Sequence, residues 1–355
     1  MNNVKDIKPL LGVRTCATSA NLGPGYDIAA LALDIYNEYR VYAGESSGTE
    51  NNSGYSIRFT GPYASVLNKE KSSSKLLQRA IKRTLEKFPD RIKDAELIQG
   101  EDTANTESAD DGGQKRTSES SEDKGMGKPA GRISLDIEVI ANIPPGKGLG
   151  SSASAAVAGV LIANKAYGLD LNKRQLFQTA IGLESSPDNS AAALSGGLAI
   201  VYRSKEALLF EKIGLSSDYR ILLMVPTSET GTDAARKLIP KKVPIEDAIE
   251  NMSNFSLLVK SLEKESLDDA LVFIRDNLHQ KYRKDLYPQS AGLVEDLIEN
   301  WQIPAAISGS GPAVIAIMDR DRFEEYKSKR GKMTGQYLAF KSIITSISDR
   351  GSYYI

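Results

Sequence analysis

The stretch that most restricts this chain is Ile143-Pro-Pro-Gly-Lys-Gly-Leu-Gly-Ser-Ser-Ala-Ser154. It follows an alternating apolar run, Ile133–Ala141, that suits a strand, and it opens an alanine-rich segment, Ser151–Ala166, that suits a closely packed helix. A strand, a glycine turn and a helix in that order bring unpaired backbone N–H groups and the positive end of a helix dipole to one point, where phosphate binds. Gly146, Gly148 and Gly150 let the backbone approach a ligand and expose N–H groups in place of side chains. Ser151, Ser152 and Ser154 add hydroxyls that reach a phosphate oxygen or a bound Mg²⁺. Lys147 is followed by Gly148, not by Ser or Thr, so the Walker type of loop is excluded. The loop from Pro144 through Pro145, Leu149 and Ala153 to Ser154 thus reads as a nucleotide phosphate site, and a plain glycine turn capped by serine is the bland alternative.

Composition limits what such a site serves. The chain has 355 residues, enough for a sizeable core and for two packed lobes. Its formal net charge is -1, so no global basic field attracts nucleic acid or anionic lipid, and neither is expected as a partner. Cys16 is the one cysteine and His279 the one histidine, which excludes a disulfide framework, a Cys/His zinc site and a histidine-rich catalytic centre. No apolar run reaches membrane-spanning length, and the opening MNNVKDIKPL lacks the apolar core of a signal peptide. A cytoplasmic location is expected.

Along the chain, Val13–Thr15 reads as a short extended piece, Asn21–Asp27 as a glycine/proline turn and Leu31–Tyr42 as a strand or hairpin. Helical spacing is found over Ser72–Lys87, about Lys173–Leu183, Pro244–Ser261 and Leu267–Asn277. Strands are expected at Gly196–Tyr202, Arg220–Val225, within Ile303–Met318, and finally at Gln336–Ser348. Residues 100–131 are acidic, rich in Ser and Gly and nearly free of large apolar side chains, so they read as a disordered surface insertion. Strands and helices mixed without a strict βα repeat point to an α+β fold.

The loop PPGKGLGSSASAA resembles the central motif of the GHMP kinases. Two further blocks resemble that family's first and third motifs in the right order: ATSANLGPGYDIAALAL near the N-terminus and AAISGSGPAVIAI near the C-terminus. The resemblance implies a two-lobed fold. Residues 1–205 would form an ATP-binding lobe similar to a ribosomal protein S5 domain 2-like βαβ arrangement, and residues 206–355 a ferredoxin-like lobe. It also implies that the third-motif loop, Ser308, Gly309, Ser310 and Gly311, packs near the phosphate loop.

Other segments resemble the homoserine kinase branch: SANLGPGYD, ESSPDNSAAALSGG, TGTDAARKLIP and DNLHQKYRKDLYP. The cofactor set implied is ATP with Mg²⁺, the substrate L-homoserine, and a homodimer is the family expectation. An amino-acid alcohol carries a carboxylate, an ammonium and a hydroxyl. Arg236 and Arg283 can supply bidentate donors to the carboxylate, Asp27 can pair with the ammonium, and Asn21 and Asn189 can hydrogen-bond hydroxyl or amino groups. The resemblance further gives Ser152 and Glu184 as Mg²⁺ ligands and Asn189 as the group orienting the attacking hydroxyl. Asp188 is a candidate base, or else Asp188-Asn189 caps the helix or turn that follows Pro187. Ser186 stands where the family usually has a substrate-holding histidine, which leaves room for a different small hydroxy acid. Lys75 and Lys281 also depart from the family pattern. A binding protein that has lost catalysis is the reading from another class.

Overall fold

The computed structural model describes residues 8–44, 54–93, 134–183, 187–205, 207–227, 233–332 and 335–355; the expected insertion at 100–131 lies outside them. The chain begins with β1 (Leu11–Ala20) and β2 (Ala29–Ala43), an antiparallel pair with a register shift between Cys16 and Ala17. β1 is longer than the piece expected at Val13–Thr15. It is buried along almost its whole length and built of small residues, so it carries no period-two alternation to read. β3 (Tyr55–Thr60), α1 (Ala64–Glu70) and α2 (Ser72–Lys87) follow, and β4 (Leu135–Ile140) lies parallel to β3 and antiparallel to β2.

The helix expected over Ser72–Lys87 is found with those bounds. Its buried residues Leu77, Ala80, Ile81 and Thr84 face α3 (Ser151–Ala166), which is buried on all sides from Ala153 to Ala163. The approach is close because both helices use small residues at the crossing: a side chain at Gly159 would meet Ala80 Cβ at 2.5 Å. Beyond lie α4 (Lys173–Ala180), a 3₁₀ turn at Ile181–Leu183, and α5 (Pro187–Ser195). β5 (Leu198–Arg203) pairs with β2 and forms a hairpin with β6 (Leu208–Ile213). With β11 (Tyr353–Tyr354) added beside β1, these strands make one seven-stranded sheet among the described residues.

The second sheet is antiparallel, in the order β10-β7-β9-β8: β7 (Arg220–Pro226), β8 (Ala305–Ile307), β9 (Val314–Met318) and β10 (Phe340–Thr345). Between β7 and β8 run α6 (Asp233–Lys237), α7 (Ile245–Glu263), α8 (Leu267–Phe273), α9 (Gln280–Arg283) and α10 (Pro288–Glu299). α11 (Arg320–Lys329) joins β9 to β10. Numbered from β7, the strand order is 4-1-3-2, the ferredoxin-like arrangement. The division expected between residues 205 and 206 falls inside the β5–β6 hairpin, and β11 returns to the first sheet, so the two sheets do not part the chain at one point. The final strand is therefore β11 and not the Gln336–Ser348 segment, where β10 begins only at Phe340. The helix expected over Leu267–Asn277 ends at Phe273, because the Asp276 carboxylate takes the N–H groups of Leu278, His279 and Gln280 and starts the next turn.

Candidate functional site

The phosphate loop is clamped from both sides by backbone and by buried side chains. Asn37 on β2, almost wholly buried, accepts from Asn142 N at 2.8 Å and Ile143 N at 3.0 Å with its side-chain oxygen. Thr18 N donates to Leu149 O at 3.2 Å, and Ala313 N, just past the third-motif loop, donates to Lys147 O at 3.1 Å. The Ser308 hydroxyl donates to Gly148 O at 2.7 Å and meets the Ser19 hydroxyl at 2.8 Å. The two glycine loops thus touch backbone to backbone, and the third loop is also held by Gly309 N on Ala20 O at 2.8 Å. Ser310 is half-buried at the tip and Gly311 is buried.

Within the loop the glycines do different work. Gly148 and Gly150 have φ of +78° and +68°, and a side chain on either would run into Ser308 O or the Thr18 hydroxyl. They are glycines for packing. Gly146, at φ +65°, has open space where a side chain would stand, which leaves that segment of backbone approachable. Gly150 is the N-cap of α3 and brings no side-chain acceptor, so the first-turn amides of a long buried helix keep their affinity for an anion.

The serines divide by helix face. Ser152 is exposed and Ser151 nearly buried. Ser154 is fully buried: it bonds the Thr15 hydroxyl and lies 3.3 Å from the Tyr39 hydroxyl, inside the core. The expectation that Ser154 contacts ATP is corrected here. At 100° per residue Ser154 shares the inner face with Ser151 and points away from the side Ser152 takes. Leu149 and Ala153 are buried as well and contribute backbone alone.

Thr18, which the motif reading did not single out, links this loop to the next group. Its hydroxyl donates to Asn189 Oδ1 at 2.6 Å. Asn189 is half-buried on the first turn of α5 and is held by its oxygen, which leaves its N–H₂ end as the donor to a ligand. Behind it Asp188 is fully buried, with Oδ1 accepting from Asn189 N at 2.8 Å and Oδ2 without a hydrogen-bond partner among the described residues. The Asp188 carboxyl is pushed up to about 7, chiefly by burial with a contribution from the Asp27 charge, against the Asn189 N–H and Arg236. A carboxyl with no exposed surface does not reach a substrate hydroxyl, so the expected role of Asp188 as a base is not what its placement provides. It orients Asn189.

At the other end Asp27 Oδ1 and Arg236 Nη2 form an ion pair of 2.6 Å, both side chains partly exposed. Asp27 takes a left-handed backbone conformation, and its N–H is held by Asn21 Oδ1 at 2.9 Å. Asn21 Nδ2 in turn donates to Gly309 O at 2.8 Å. Asn21 is therefore a buried tie between the first turn and the third loop, a correction to its expected contact with substrate. Arg283 is also buried, at 1% exposure; Nη1 donates to Gly309 O at 2.9 Å and meets His279 Nδ1 at 2.8 Å, and its guanidinium lies over Tyr26. Of the two expected carboxylate donors, only Arg236 presents itself to solvent. Glu184 and Ser186 lie outside the described residues.

Among the described residues no three His, Cys, Asp or Glu side chains gather as a metal site. A serine hydroxyl and one carboxylate completed by phosphate oxygens is the hard-oxygen set Mg²⁺ takes with nucleotides, and the exposed Ser152 hydroxyl fits it. Cys16 offers no chemistry, since burial pushes its thiol up to about 12. No helix among the described residues is long and apolar enough to cross a membrane.

The model of the GHMP kinases N terminal domain matches residues 121–197, and that of the GHMP kinases C terminal matches residues 257–332. The homoserine kinase of Petrotoga mobilis is 30% identical over 312 residues, covering 88% of this chain and 86% of that protein. That of Desulfitobacterium hafniense is 26% identical over 347 residues, 98% and 100% of the two chains. Among solved structures, a homoserine kinase from Cytophaga hutchinsonii aligns over 100% of both chains with a TM-score of 0.73 at 21% identity. The mevalonate kinase of L. major aligns over 96% and 95% with a TM-score of 0.60 at 13% identity, and likenesses this distant bear on the fold alone.

Proposed function

The chain belongs to the GHMP kinases, in their homoserine kinase branch, and on that premise we propose that it transfers the γ-phosphoryl of ATP to the side-chain hydroxyl of L-homoserine. The observation that carries the substrate is the Asp27–Arg236 pair. A partly exposed ion pair is worth roughly 0–1 kcal/mol, so little is lost when its members exchange each other for the ammonium and carboxylate of one zwitterion. The pair lies near enough to Asp188 for both its charges to act on that carboxyl, and from Asp188 contacts run through Asn189 and Thr18 to the N-cap of α3. This is the order required to set a hydroxyl between an amino-acid head group and a phosphate.

Phosphoryl transfer depends on positioning and charge neutralisation more than on a strong base. In this reading the Gly146–Gly150 backbone and the first-turn amides of α3 hold the phosphates. Asn189 donates its N–H₂ to the attacking oxygen and fixes its direction; Thr18 keeps the side-chain amide from turning, and Asp188 holds the Asn189 backbone N–H. Ser152, with Glu184, would hold Mg²⁺, which neutralises phosphate charge when bound. A homodimer remains part of the proposal on resemblance alone.

With Mg²⁺ and ATP, the purified protein should release ADP with L-homoserine in preference to mevalonate, shikimate and galactose, followed by a coupled assay. No release above background with any alcohol overturns the kinase reading, and preference for another alcohol overturns the substrate. Asp27→Asn removes the charge opposite the ammonium. A hydrogen bond to a charged group contributes about 1.5–3 kcal/mol, so KM for homoserine should rise roughly 10- to 150-fold while KM for ATP stays within about threefold. Equal change in both would detach Asp27 from the substrate.

A further inference from the structure

His279 has no part in the transfer described above, yet every polar atom of its ring is spoken for. It is fully buried, between the chain entering α9 and the first-motif turn. Nε2 lies 2.9 Å from Gly23 O, and a carbonyl can only accept, so Nε2 carries the hydrogen. Nδ1 lies 2.8 Å from Arg283 Nη1, and a guanidinium can only donate, so Nδ1 is bare. The two contacts together select one neutral tautomer. Tyr26 stacks on the ring at 5.3 Å between centroids.

From this geometry we infer that His279 is a positioning residue for the amino-acid substrate, acting through Arg283 and the first turn on Asp27. The route is continuous. His279 holds Gly23 directly and Arg283 through Nδ1. Arg283 and Asn21 converge on one acceptor, Gly309 O, at 2.9 and 2.8 Å. Asn21 then holds the N–H of Asp27. Asp27 stands at the end of the route, where the ammonium of the proposed substrate would sit. The inference rests on the homoserine reading for its kinetic consequence, and not for the tautomer.

Protonation would break the route. A second hydrogen on Nδ1 would face the Arg283 guanidinium, which never gives up its own. Among the described residues the other charged group at hand is Asp276, whose side chain is fully buried and 3.7 Å from Nε2. Its oxygens already accept from Leu278, His279 and Gln280 N–H groups, so at that distance it attracts an imidazolium without hydrogen-bonding it. Tyr26, stacked on the ring, is a neutral phenol. Burial, the largest cause, and Arg283 hold the imidazole below its usual range, against the pull of Asp276.

Because His279 is the one histidine in the chain, its state can be read without assignment. Long-range ¹H–¹⁵N spectra of tag-free ¹⁵N-labelled protein should show one imidazole, protonated at Nε2 and bare at Nδ1, unchanged from pH 8 to about pH 5.5; an ordinary histidine would be mostly charged there. A proton on Nδ1, or titration near 6.5, overturns the inference. His279→Asn keeps an acceptor near the Nδ1 position, and His279→Leu removes it at similar volume. KM for homoserine should stay within about threefold of wild type in Asn and rise about tenfold or more in Leu, with kcat and KM for ATP moving less than threefold. Equal effects in the two variants, or an effect confined to ATP, also overturn it. If Leu fails to fold, the wild-type spectra and the Asn kinetics decide. Should another alcohol prove to be the substrate, the homoserine reading falls, and the same spectra and KM comparison with that alcohol still judge His279.

Discussion

Gly148→Ala should unfold at markedly lower urea than Gly146→Ala, by a difference of about 2 kcal/mol or more, and should lose at least about a hundredfold in kcat/KM where both remain folded. The two substitutions share the same backbone strain, since both glycines have positive φ, at +78° and +65°. Left-handed backbone costs an L-residue roughly 1–2 kcal/mol. They differ in what the new methyl group meets. At Gly146 it meets nothing within 4 Å; at Gly148 it runs into Ser308 O, with Gly311 O a further 3.0 Å contact. Those atoms cannot give way cheaply. Ser308 is tied by its N–H to Ala313 O at 2.8 Å and by its hydroxyl to Gly148 O at 2.7 Å. Separating the loops breaks the contact that sets the phosphate backbone against the third motif, so stability and rate should fall together. Urea midpoints and steady-state rates for the pair test this. Equal midpoints would mean the two loops are not in the contact described.

The glycine loop was legible because residue type and conformation are tightly coupled there, and α3 was legible because a run of small residues between a glycine turn and a tyrosine has few other uses. Its bounds, Ser151–Ala166, are those the pattern predicts. What residue type does not carry is which face a polar group turns to. Ser154 and Asn21 belong to the right motifs, yet one is a core hydroxyl and the other a tie between loops, because helix phase and turn geometry decide their direction. Thr18 was missed for the opposite reason. On a strand buried on both faces no alternation distinguishes a working hydroxyl from its neighbours Thr15 and Ser19, and Asn189 reaches it across 171 positions of sequence. The sequence leaves α5 open between a helix and a turn, because Pro-Asp-Asn at its start has the composition of a turn. The same three residues are its first turn.

Asp188→Asn should reverse the sign of its effect on stability with pH. The carboxyl is fully buried and pushed up to about 7 from the ordinary value of 3.8, with desolvation as the main cause. A folded value above the unfolded one means the native state binds more protons between them, so the contribution is fully present below about pH 4 and is lost as pH rises through about 7. At about 1.4 kcal/mol per pH unit the loss across that window is on the order of 4 kcal/mol. Asparagine retains an acceptor for the Asn189 N–H, 2.8 Å away in the wild type, and cannot ionise. It places an N–H₂ where Oδ2 has no partner among the described residues, which costs roughly 1–3 kcal/mol at every pH. The variant should therefore be less stable than wild type at pH 4 and as stable or more so at pH 8, as read by urea midpoints at the two pH values. A difference that does not change with pH would mean Asp188 is ionised at both. Activity separates the remaining roles. Removing a general base costs about 10²- to 10⁴-fold, whereas a group that only steadies Asn189, itself held from the other side by Thr18, should cost less than about tenfold in kcat at pH 8. A larger loss there would return the proton to Asp188 and make it the base.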